Sequence, residues 1–86
     1  MQIQEMNRQL ISVLDEWDPF QIGAGQYETE IADVIQAVHD TEDKNMLGRK
    51  IQAIYEFSFE QMIPLENCKN TAVKLLTIKN SGSCRL

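Results

Sequence analysis

Disulfide frameworks, membrane spanning and histidine-based catalysis all lack raw material in this chain. Two cysteines, Cys68 and Cys84, are too few for a disulfide framework, and no Cys/His spacing matches a zinc site. His39 is the single histidine, so an imidazole-centred metal site or general base has one possible position. There is no run of about 18 apolar residues to cross a bilayer. The opening MQIQEMNRQL has neither the apolar block nor the basic start of a signal peptide. Together these absences predict a cytoplasmic protein with reduced thiols and no membrane association.

Basic residues are almost missing from one half. Residues 1–43 hold ten acids against one base, Arg8, whereas residues 44–86 hold seven bases against three acids, Glu56, Glu60 and Glu66. The net charge of −5 conceals this polarity. An acidic half repels nucleic acid and steers cationic partners. The plainer reading is a solvated face, with the two halves neutralising each other through surface ion pairs of small individual worth.

What the chain has in quantity is apolar spacing of helical period. β-type alternation is absent, and four amphipathic stretches follow one another in a single domain of 86 residues. Ile3, Met6, Leu10, Val13, Leu14 and Trp17 share one stripe, and Pro19 bars Asp18 from helical geometry, which ends the first helix near Trp17. Tyr27, Ile31, Val34, Ile35 and Val38 share the inner face of a second helix, with Thr29, Glu30, Asp33 and Gln36 away from it. Asp40 or Thr41 reads as the next N-cap. The third helix turns Leu47, Ile51, Ile54 and Tyr55 inward. Met46 and Phe57 on its other side suggest a helix covered on two faces, and Gly48 suggests close approach of a neighbour or simple tolerance. FSFEQMIP either extends this helix by a turn or bends as a connector. Pro64 suits a first turn of the fourth helix, which carries Leu65, Cys68, Ala72, Leu75 and Leu76 inward. Lys74 and Lys79 complement its C-terminal dipole, and Asn80-Ser81-Gly82 stops it. The expected architecture is an all-α bundle of four antiparallel-type helices with short loops over residues 1–80, and a flexible tail over 81–86.

The segment Trp17–Glu30 carries more chemistry than a connector needs. Asp15, Glu16, Asp18, Glu28, Glu30 and Asp33 surround it, and Phe20 stands in the turn between the aromatics Trp17 and Tyr27. One reading is a protein-docking surface in which Phe20 is an anchor inside a rim of carboxylates. The competing reading is an oxygen-rich divalent-cation site or enzymatic centre at the turn, although nothing matches a dedicated calcium loop. Trp17 and Tyr27 also read as core, closing the hairpin. His39 lacks a carboxylate placed to orient it: Glu30 falls on the opposite face and Glu28 lies about 16 Å along the axis. Gly23-Ala24-Gly25 lacks the third glycine and preceding strand of a phosphate loop, and Glu28 and Glu30 would repel phosphate there. No serine has a base at recognisable spacing. No catalytic residue, metal ligand or cofactor is assigned.

With Trp17-Asp18-Pro19-Phe20, Ile22-Gly23, Tyr27 and Glu30 assembled, the chain resembles the YugE-like family of small uncharacterised proteins from Gram-positive, spore-forming bacteria. The similarity runs through EIADVIQAV and IQAIYEFSFE to KNSGSC. The resemblance implies an all-helical cytosolic domain and carries over no activity, substrate or site residue. Small size and the charge split, rather than the resemblance, give the expected function: a non-catalytic interaction or regulatory protein. Such a protein would use its acidic half on a basic partner, in the manner of an immunity or antitoxin-like inhibitor of a basic enzyme.

Overall fold

The computed structural model describes residues 3–23 and 25–83. Ala24, Cys84 and the end of the expected tail, together with the side chain of Ile3, lie outside the described residues. Four helices are present and, among the described residues, no strand: α1 (Ile3–Trp17), α2 (Glu28–Asp40), α3 (Lys44–Phe59) and α4 (Leu65–Ser83). α4 packs on the other three, while α1 and α3 lie diagonally across the bundle. Connections of residues 41–43 and 60–64 join packed neighbours, as short helix–helix loops do in bundles.

The inner stripes of the four helices meet in one core. Leu10, Leu14, Val34, Val38, Leu47, Ile51 and Leu75 are fully buried, with Tyr27, Tyr55 and Cys68 among them. Burial alone pushes the Cys68 thiol up to about 11, so at neutral pH it is a small apolar residue rather than a nucleophile. α3 and α4 come closest at Gly48. A Cβ added there would stand 2.9 Å from Lys69 Cγ, 3.1 Å from its Cα and 3.2 Å from its nitrogen, so the two helices approach here at a distance that a side chain would force apart.

Several boundaries differ from expectation for identifiable reasons. Thr41 N–H still donates to Ala37 O, closing α2, so the N-cap of α3 moves on to Asp43, whose carboxylate accepts from Asn45 N and Met46 N. FSFEQMIP divides: α3 runs to Phe59, and Glu60 ends it in the left-handed region at φ 57°. The connector is then pinned by buried Ile63, whose carbonyl accepts from Gln52 Nε2 at 2.8 Å. Pro64 precedes α4 rather than beginning it, and its carbonyl accepts from Asn67 N and Cys68 N. α4 continues to Ser83, so Asn80-Ser81-Gly82 does not stop it. With α4 running to Ser83 its last turn holds no base, and Lys79 serves another helix instead: its Nζ donates to Val38 O at 2.8 Å and pairs with Glu42 at 2.6 Å, placing a cation at the negative end of α2. The outer face of α3 is open, with Met46 and Phe57 exposed, so that helix is covered on one side only.

Candidate functional site

The α1–α2 turn is built around Asp18. Pro19 denies it helical backbone, and it adopts φ 36°. Its carboxylate folds back over the turn: Oδ1 accepts from Ile22 N at 2.9 Å and from the Tyr27 hydroxyl at 2.6 Å, and Oδ2 accepts from Gly23 N at 3.1 Å. The Tyr27 hydroxyl oxygen in turn accepts from Phe20 N at 3.2 Å. A second tie runs from Gly25 N to Asp15 Oδ1 at 3.3 Å. Positive φ at Gly23 and Gly25 allows these amides to face the carboxylates. The Tyr27 bond, foremost, and the two backbone amides hold the Asp18 carboxyl below its ordinary range. Burial, with the Asp18 bond second, holds the Tyr27 hydroxyl above its own.

Beneath the turn lies an aromatic cluster. Trp17 meets Tyr55 edge-on at 5.4 Å, and Phe20 packs on Phe59 at 4.9 Å and on Tyr27 at 6.5 Å. Tyr27 and Tyr55 are fully buried, and Trp17, Phe20 and Phe59 are half-buried at the margin. Phe20 thus closes the aromatic cluster from above and has a neighbour on each side. The hydroxyl of Tyr55 is buried without a hydrogen-bond partner.

The sequence-predicted carboxylates separate into different environments. Asp15 and Asp18 organise the turn. Glu16 and Glu28 are exposed on α1 and α2. Glu30, expected to face outward, is buried at 8% exposure, because the end of α3 extends to Ser58 and Phe59 and shares a cleft with it. Asp33 lies on the far side of α2, with Gln36, Asp40 and Lys50 along the seam with α3. Among the described residues no group of three or more His, Cys, Asp or Glu is placed to hold a metal ion. The carboxylate oxygens of Asp18 are directed at protein donors. His39 Nε2 lies 3.0 Å from Asn7 Oδ1 and ties α2 to α1.

What the structure does bring together is a groove between α1 and α2. Ile11, Asp15, Gly25, Glu28 and Ile31 line it, and its volume is about 250 Å³. Sequence reasoning missed Ile11, which lies off the inner stripe of α1 and is exposed. An isoleucine on the outer flank beside Leu10 was the available signal. The acidic and basic halves meet in an ion pair at Glu42–Lys79, the one such pair among the described residues. Among those residues, too, no helix is long and apolar enough to cross a membrane.

Comparison with known proteins agrees with this architecture over most of its length. The chain is 49% identical over 77 residues to "Uncharacterized protein YugE" of Bacillus subtilis (strain 168), covering 90% of each. The fold is similar to a crystal structure described as APC36109 from Bacillus stearothermophilus, with TM-score 0.90 and 43% identity over 92% of this chain and 98% of that one. Residues 9–85 match the model of one family, and the chain belongs to it: "Domain of unknown function (DUF1871)".

Proposed function

We propose that the protein is a non-catalytic interaction module of the cytoplasm, and that it docks a basic protein partner on the α1–α2 face. The observation that carries this reading is the groove that sets Ile11 and Ile31 beside the carboxylates of Asp15 and Glu28. A lysine or arginine is apolar along its stem and cationic at its head. Laid in the groove, such a side chain places its stem on the isoleucines and its head at the carboxylates. Exposed Glu16 and the remaining acids of the N-terminal half add a long-range field that speeds encounter with a basic surface. An inhibitor that covers a basic enzyme would use this face in the same way.

The test is capture from a host extract on immobilised protein, comparing wild type with Glu16→Gln/Glu28→Gln. Both positions are exposed, so the variant should keep its helix content. A partner held by wild type and released by the variant, with an association rate that falls as salt rises, supports the reading. A partner that binds both proteins alike, indifferent to salt, shows that the acids are a solvated face.

A further inference from the structure

The outer face of α3 lies on the other side of α2 from the acidic groove and is independent of it. Met46, Ala53 and Phe57 follow at helical spacing and fall within an arc of about 40°. All three are exposed, Phe57 to 89%. Beside this stripe runs a seam of about 320 Å³ between α2 and α3, where Ala37, Ala53 and Ile54 are flanked by Asp33, Gln36, Asp40 and Lys50. An exposed aromatic knob thus stands one turn from an apolar hollow on the same face.

The charges of α3 run against its own dipole. Lys44, Arg49 and Lys50 precede Glu56, with no acid in the first turn and no base in the last. Within one helix this order is unfavourable, since a helix favours acids at its start and bases at its end. It becomes favourable when a second α3 lies antiparallel. Arg49 and Glu56 share one flank of the stripe, on opposite sides of Ala53. A two-fold axis perpendicular to α3 at Ala53 therefore sets each Arg49 against the Glu56 of the other copy. The same operation brings each Phe57 over the hollow beside Ala53 and Lys50 of its mate. Among the described residues neither Arg49 nor Glu56 is in an ion pair within its own chain.

We infer that this face binds a second copy of the chain, forming a two-fold antiparallel α3–α3 dimer with Phe57 as knob and the Arg49–Glu56 pairs as register. Self-complementarity is what an isologous interface demands. One helix face gives an interface at the small end of the known range, below about 1,200 Å², so the dimer is reversible.

Sedimentation equilibrium across micromolar to millimolar protein tests the inference. Wild type should move from the 9.9 kDa monomer to twice that mass. Phe57→Ala should raise the dissociation constant at least roughly tenfold. Arg49→Glu and Glu56→Arg each set like charges together and should each be monomeric, whereas their equimolar mixture should associate again as a heterodimer. All these positions are exposed, and far-ultraviolet dichroism verifies that each variant remains helical. A wild type that stays monomeric over the whole range overturns the inference. So does an association unchanged by Phe57→Ala, or charge variants that fail to recover on mixing.

Discussion

The hydroxyl of Tyr27 donates to Asp18 Oδ1 at 2.6 Å while its oxygen accepts from Phe20 N, so one phenol holds both sides of the α1–α2 turn. Tyr27→Phe deletes both bonds and leaves the ring packing intact. The expected cost is about 1.5–3 kcal/mol, the range for a hydrogen bond to a charged group. Asp18→Asn should weaken the same network. The double variant should lose less than the two single losses combined, because the residues act as one unit. Urea denaturation followed by the emission of Trp17, the single tryptophan, measures each.

Acid should dissolve this turn before the core. The Asp18 carboxyl titrates below its ordinary value of 3.8 in the folded state, chiefly because Tyr27 donates to its ionised form. A group with a lowered folded pKa contributes stability that is full above the unfolded value and is lost as pH falls through the folded one. The difference in urea midpoint between wild type and Asp18→Asn should therefore be largest near neutral pH and close as pH falls below about 4.

Gly48→Ala should destabilise, against the helix-propensity gain of about 1 kcal/mol. The added methyl would meet Lys69 Cγ at 2.9 Å and, behind it, the Lys69 backbone at 3.1–3.2 Å, so rotating the side chain alone does not clear the contact. A net loss of about 1–3 kcal/mol is expected, as for other overpacked contacts. Thermal melting of the two proteins decides it, and a higher melting temperature for the alanine variant would contradict the close packing of α3 on α4.

Tyr55→Phe should be neutral or stabilising by up to about 1–3 kcal/mol, since it removes a buried hydroxyl with no partner. Burial, foremost, raises the pKa of this phenol. A raised folded pKa means stability that is full below the unfolded value, near 10.0, and is lost as pH rises toward the folded one. The phenylalanine variant should accordingly resist alkaline unfolding better than wild type, with midpoints measured from pH 8 to about 11.

The helices were legible because each had to bury one apolar stripe, and Leu10, Leu14, Val34, Leu47, Ile51 and Leu75 advertise that need by spacing alone. Ends depend on which amide finds which acceptor. Thr41 continues α2 by one backbone bond and hands the cap of α3 to Asp43, a competition that spacing does not encode. Lys79 reads as a cation for its own helix until the bundle brings the end of α2 beside it. The acidic residues around the turn were visible, but their division was not. Glu30 is buried beside the end of α3, and Asp18 is occupied by the amides of Ile22 and Gly23 and by Tyr27 reaching back across the turn. Ile11 and Ile31 come together through the packing of α1 on α2, which no local pattern announces.

The claim that the α1–α2 groove receives a cationic side chain is tested most directly by nitrogen-15 NMR titration with an amphipathic peptide of alternating leucines and lysines. Amide shifts should concentrate at Ile11, Asp15, Gly25, Glu28 and Ile31. They should shrink in Glu28→Gln and in raised salt, and be absent when glutamate replaces lysine in the peptide. Asp33→Asn, on the far seam, should leave the titration unchanged. Shifts spread evenly over every exposed carboxylate, or equal for the acidic peptide, would contradict the account.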